Sequence, residues 1–533
     1  MIEGRERRSG ATLVGVPVSR RTVLGWARMG GAAVGLAALG TAARAPWVRT
    51  AVGQGTPAAG MVSELAIDLA AEPPSLDPAI VYDVDGWSVV HSVYDALVQY
   101  ASDGSLEPLL AESLTLTDPL TYEVRLRQGV RFHNGEPFDA RSVAFSVAHI
   151  QDPATQSQLR ETFLVVERVE EVDPFTVRLR LARPAPWLPA QMAAWLAMLP
   201  PEYAADPAND SGANPVGTGP YRFAGWERGS RVELERNPDY FAGSPKGRAI
   251  TERAAFRFVP DGGTRVADLL AGTAGLVRGV PVDEVEVVRE GGAEVVAQPL
   301  SGSAWVRIAT DAAPFDDVRV RRALNHAVDV DAIVAALVGG NGRRLANFFV
   351  EGRLGFDPEL APFPYDPDEA RRLLAEVGYA DGFETALEYS SDEREDVVAA
   401  IAGQLDEVGV RAEVRPVEKA TFNATWADPA TAALRLATWR PLFDPFTLLD
   451  LVVSERGFLS RHASPTAQPL IEAAAAEADA TRRADTYREL GRVLREEPAA
   501  IYLYGLTALY GVAPETPAWT PRPDDYVIPT ARG

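Results

Sequence analysis

Asn214-Pro215-Val216-Gly217-Thr218-Gly219-Pro220-Tyr221, NPVGTGPY, is the stretch on which the reading of this chain turns. Two prolines fix φ and two glycines remove β-carbons within six residues, a composition suited to one fixed, tight turn between lobes. Outward from it, Tyr122–Arg127 and Phe175–Leu181 alternate apolar and polar residues and predict half-buried strands. Asp139 predicts a cap for a helix presenting Val143, Val147 and Ile150. Leu65–Leu69 reads as a short apolar strand ended by a Pro-rich turn, and Val89–Tyr100 has helical spacing.

Downstream, Asp316 or Asp317 predicts the cap of one helix running to Gly339-Gly340, and Asp366 that of another ending at Gly378. Residues 467–497 read as two amphipathic helices broken near Asp479–Thr481, and Ile501–Tyr504 as a strand turning at Gly505. Strands and helices are mixed throughout without a short repeat, so the class is α/β.

The chain has 533 residues, 52 Lys plus Arg, 74 Asp plus Glu and no Cys. A formal charge of −22 disfavours nucleic acid as a partner. Zero Cys excludes disulfides, thiolate metal sites, cysteine nucleophiles and a lipid on an N-terminal Cys. The only lysines, Lys246 and Lys419, fit neither a P-loop nor a Ser-x-x-Lys pattern. The five histidines (91, 133, 149, 326, 462) form no local metal motif, and carboxylate pairs such as Asp83/Asp85 suit caps and loops. No catalytic residue, metal ligand or cofactor is indicated.

Residues 1–45 hold seven Arg against two acids. Ser19-Arg20-Arg21-Thr22-Val23-Leu24 precedes an Ala/Gly-rich apolar run too short to span a membrane confidently. This resembles a twin-arginine export signal, engaging that export machinery, with 46–61 as a flexible leader. The expected location is the periplasm or outer face of the cytoplasmic membrane, the body free or held by an uncleaved signal.

Several ordered segments resemble the family 5 extracellular solute-binding proteins of ABC importers, the oligopeptide/dipeptide/nickel class. They are EPPSLDP at 72–78, TYEVRLRQGVRFHNGEPFDARSVAFS at 121–146, NPVGTGPY, FDDVRVRRALNHAVD at 315–329 and YDPDEARRLLAEVGY at 365–379. The resemblance implies a periplasmic-binding-protein-like fold of type II with an extra subdomain: two α/β lobes joined by a hinge, with the ligand cleft between them. Lobe I would comprise 62–92, 212–300 and 499–533, the inserted subdomain 93–211, and lobe II 301–498. A monomer would capture a peptide-like or other small polar or organic solute by hinge closure and deliver it to permease subunits with their ATPases. Two alternatives stay open: an exported hydrolase or metal-dependent enzyme with a site assembled from distant residues, and a carrier of nickel or another metal chelate.

The resemblance also maps cleft residues. The segment after Leu-Asp-Pro places Tyr82, Asp83, Val84 and Asp85 there, with Trp87 nearby; the competing reading is a turn whose aromatics pack on the lobe. The Trp-containing loop ending in Asp-Pro maps to Trp439, Arg440, Phe443 and Asp444. Peptide-binding members carry a further Asp before the Asp-Pro, pairing with the peptide ammonium; Arg440-Pro441-Leu442 stands here instead. Arg440 suits an anionic group or, as the competing reading, a salt bridge to a neighbouring acid, and Trp439 suits a ring or apolar face. Trp305, Phe348 and Phe349 are further candidates, with core packing as the competing role.

Overall fold

Leu65, Ile67 and Leu69 alternate with Ala66 and Asp68, and all three are buried in the strand Val62–Leu69. That strand pairs in parallel with Thr251–Phe258 on one side and Leu276–Arg278 on the other. In this computed structural model residues 62–439, 444–457 and 459–531 are described. The chain divides into units 1–57 and 58–533, and every described residue belongs to the second.

One eleven-stranded sheet orders the body. From one edge it runs Tyr221–Glu227, Arg231–Arg236, Thr251–Phe258, Val62–Leu69, Leu276–Arg278, Ala500–Val512, Glu294–Ile308, Leu434–Trp439, Phe383–Ser390 and Val410–Val417, with Arg343–Arg344 beside Ala500–Val512. Two long antiparallel strands, Glu294–Ile308 and Ala500–Val512, carry it from one hydrophobic core to another. Their register shifts between Pro299 and Trp305. Before the shift they continue the strands holding Leu65 and Ile67; after it, Val306, Ile308, Ile501 and Leu503 lie in a second core with Leu324, Leu374 and Leu434. The result is two α/β bodies joined by a pair of crossing strands.

A four-stranded antiparallel sheet, ordered Ala111–Asp118, Thr121–Leu126, Thr176–Leu181, Val166–Asp173, is backed by the helix Ala140–Gln151. Asp139 caps that helix, and Asp317, Asp366 and Asp479 cap theirs. A short side chain accepting the first free amides is a local signal, so these starts follow from sequence.

Four expectations change. The helix near residue 90 is Val84–Val93, started by Asp83, and Val98–Tyr100 is a strand paired with Leu106–Pro108. The helix after Asp317 stops at Ala327, and Asp329 caps a second one, Val330–Leu337. Ala500–Val512 is continuous through Gly505, because partner strands on both sides hold it extended there. NPVGTGPY does not span the two bodies; it packs against the end of the Val84–Val93 helix, where the Gly219 amide donates to the Val93 carbonyl at 2.8 Å.

Candidate ligand cleft

The predicted first wall begins with Asp83, whose carboxylate accepts from the Gly86 amide at 2.7 Å and starts the helix. Val84, its first residue, is half-buried, and Tyr82 is half-buried with its ring 6.3 Å from Trp195. Asp85 is enclosed: its oxygens accept from the Ala70 and Ala71 amides at 3.1 and 2.9 Å and from Arg278 at 3.0 Å. Burial pushes its carboxyl above the usual range, against the opposing pull of Arg278 and the Ala71 amide. Arg278 also grips Asp525, which accepts from the Tyr510 hydroxyl at 2.5 Å. Trp87 is fully buried and donates to the Val81 carbonyl at 3.0 Å.

The C-terminal segment buttresses this wall from behind. Tyr526 lies 4.9 Å from His91 and 6.4 Å from Trp87, and the Val527 amide donates to Ser88 at 2.9 Å. Burial, with Lys246 and Arg522 nearby, holds His91 well below its ordinary pKa, so the neutral ring donates from Nε2 to the Ala194 carbonyl at 3.2 Å.

The predicted second wall is aromatic. Trp305 is 1% exposed and meets Phe348 and Trp426 edge-on at 5.3 and 5.9 Å and Trp439 at 6.4 Å. Ser303 pairs with Trp439 across the strands, immediately after the crossing point. Here Phe348, Phe349, Arg353 and Trp439 close with Ser301 and Ser303 around a cavity of about 30 Å³, room for about one water. Arg440 and Phe443 lie outside the described residues. Asp444 is buried and bound through both oxygens to Arg483, at 2.6 and 2.8 Å, while its Oδ1 also accepts from the Phe446 amide.

Sequence reasoning missed the contacts that bring the bodies together. Trp187 stacks on Phe446 with centroids 4.3 Å apart and planes 10° from parallel, and the Arg183 guanidinium lies 5.5 Å from the Trp187 ring. Arg353 donates to the Asp103 carbonyl at 3.0 Å. Trp187 was legible as an aromatic in the Pro-flanked apolar run 184–201, but nothing local pairs it with Phe446. Among the described residues no group of three or more acids and histidines is placed to hold a metal. His91, His133, His149, His326 and His462 each have a protein hydrogen-bond partner.

Residues 105–459 match the family described as bacterial extracellular solute-binding proteins, family 5 Middle. The glutathione-binding protein GsiB of Pectobacterium atrosepticum is 32% identical over 350 residues, 64% of this chain and 67% of that protein. GsiB of Escherichia coli O1:K1 / APEC is 30% identical, covering 67% of this chain and 70% of that one. Among solved structures, the ABC transporter substrate-binding protein CtaP of Listeria monocytogenes superposes with a TM-score of 0.79 at 23% identity, covering 88% and 99% of the two chains. HbpA2 of Haemophilus parasuis gives 0.75 at 25% identity, covering 87% and 98%. With two α/β bodies joined by crossing strands, the chain belongs to the family 5 extracellular solute-binding proteins, receptors of ABC importers.

Proposed function

We propose that this receptor is exported by the twin-arginine route, has no catalytic activity, and closes on a small peptide-like solute before docking on its permease. The observation that carries the reading is the contact between the two bodies, where Trp187 stacks on Phe446 at 4.3 Å and Arg353 donates to the Asp103 carbonyl at 3.0 Å. These contacts hold the bodies together between the predicted walls, so admitting a ligand requires them to part and re-close, which is differential affinity between two states. The GsiB relatives are named for binding glutathione, which supports a peptide-like ligand. Tyr82, Val84, Trp439, Phe348 and Phe349 would face it, with Asp83, Asp85, Trp87, Trp305 and Asp444 holding the walls in place. Arg440 and Phe443 complete the proposed set.

The lobe boundaries follow the proposed division: 62–92, 212–300 and the C-terminal segment as lobe I, 93–211 as the insertion, and 301–498 as lobe II. The register shift near 299–303 and 505–507 supports a crossing there. Ile501, Leu503 and Tyr504 pack in the second core, so we assign 500–506 to lobe II. Among the described residues no helix is long and apolar enough to cross a membrane.

The test is thermal unfolding of the protein purified after export, freed of solute by unfolding and refolding, against peptides, sugars, amino-acid derivatives and metal chelates. A true ligand at 100 times its Kd adds about 2.7 kcal/mol. Stabilisation by none of these classes, together with turnover of an ester, glycoside or phosphate, would overturn the receptor reading.

A further inference from the structure

Trp187, Gln191 and Trp195 are spaced i, i+4, i+8 along the helix Leu188–Trp195 and its cap, and so fall within about 80° of arc. They are 1%, 2% and 4% exposed. Trp187 Nε1, Gln191 Oε1 and Trp195 Nε1 are all buried without a hydrogen-bond partner. Folded proteins pair nearly all such atoms, so three on one face of a two-turn helix call for a partner that is not part of the fold. The row runs between the two walls: Trp187 lies on Phe446 of the second body, and Trp195 beside Tyr82 of the first. Thr447 Oγ1, next to Phe446, and Trp439 Nε1 are buried and unpartnered as well. The Ala190 and Ala194 carbonyls, by contrast, accept from Tyr100 and His91, which fasten the helix to the first body.

We propose that this helix of the inserted subdomain is a third wall of the ligand cleft, on which Gln191 and Trp195 read an uncharged amide of the solute. The inference rests on the receptor reading above and names what the receptor selects. An indole N–H only donates and a carboxamide oxygen only accepts, so one turn of helix offers a carbonyl and an amide N–H their complements. A cation is not what the site suits. Asp85 and Asp444, the acids of the two predicted walls, are each bound to an arginine. The matching solute is a peptide whose amino end is acylated, rather than one with a free ammonium.

The test compares N-acetyl-dialanine amide with free dialanine by calorimetric titration of the emptied protein, its Gln191→Leu and Gln191→Met variants, and Trp195→Phe. The blocked dipeptide should bind the parent protein more tightly, and each substitution should weaken it about tenfold or more. Ligand-free melting should not fall in the Gln191 variants, because each removes an unpaired buried atom rather than a bond. Equal affinity in parent and variants, or no binding of the blocked dipeptide by a protein that another solute stabilises, overturns this inference and leaves the receptor standing. Stabilisation by no solute of any class overturns both.

Discussion

The Gly219 amide donates to the Val93 carbonyl at 2.8 Å, joining NPVGTGPY to the end of the helix that carries the proposed first cleft wall. The neighbouring glycine is required by the same approach. A β-carbon at Gly217 would sit 2.1 Å from the Val93 oxygen and 2.8 Å from its carbonyl carbon. Backbone atoms cannot step aside as a flexible side chain can, so Gly217→Ala should cost at least about 1–3 kcal/mol. Urea unfolding reads the loss; an unchanged midpoint would show that the turn is held less tightly than these contacts require. Gly225, where a β-carbon meets nothing within 4 Å, is the control.

The same helix end rests on a buried ion pair. Lys246 lies 2.5 Å from Asp95, both essentially unexposed, and also donates to the His91 and Tyr94 carbonyls at 2.9 and 2.7 Å. Asp95 accepts further from Thr218 and Tyr240. Lys246→Met strands a carboxylate in the interior, and the expected loss is about 3–5 kcal/mol. Adding Asp95→Asn removes the stranded charge and should return a substantial part of it. A double variant no more stable than Lys246→Met would mean that the capped carbonyls, rather than the charge, dominate.

Two histidines should give opposite pH signatures. His133 Nδ1 accepts from the Gly217 amide and Nε2 donates to the Gly219 carbonyl, an arrangement that only the neutral ring can make. Burial lowers its pKa to about 4. Its contribution is present above the ordinary value near 6.5 and fades as pH falls toward 4, on the order of 3 kcal/mol. At His149 burial opposes the charged form, but the hydrogen bond and charge of Asp77, 2.8 Å away, prevail and raise the pKa. That contribution is full below about 6.5 and is lost as pH rises through the raised value. Urea unfolding at pH 5.5 and 8 should show His149→Gln costing more in acid and His133→Gln costing more at pH 8. The same cost at both pH values for either variant would refute its assignment.

Helix starts were legible in the sequence because Asp139, Asp317, Asp366 and Asp479 act within their own first turns. Val98–Tyr100 was not, since its apolar spacing suits a helix and only the strand Leu106–Pro108 pulls it straight. The cleft was half legible for the same reason. Tyr82 and Trp439 belong to motifs that the family resemblance assigns to its proposed walls. The stack of Trp187 on Phe446 and the buried row at Gln191 and Trp195 arise where distant segments meet. Asp83 and Asp85 look alike in sequence, yet one caps a helix and the other anchors Arg278, a difference set by residues 193 positions away.

In the proposed second wall Asp444 is held by Arg483 rather than presenting a free carboxylate. Two parallel bonds, at 2.6 and 2.8 Å, fix its plane, and its Oδ1 accepts from the Phe446 amide, so the side chain orients the residue that stacks on Trp187. Arg483 is itself held by the Ala474 carbonyl and the Tyr487 hydroxyl. Asp444→Ala leaves that guanidinium buried without its counter-charge, and about 3–5 kcal/mol should be lost. Arg483→Lys keeps the charge but cannot span both oxygens, so its cost should be smaller while the wall still loosens. Both variants should weaken solute binding through a faster off-rate with little change in on-rate, because encounter precedes closure and the wall acts after it. Stopped-flow tryptophan fluorescence separates the two rates. A slower on-rate with an unchanged off-rate would instead place Asp444 on the path of entry.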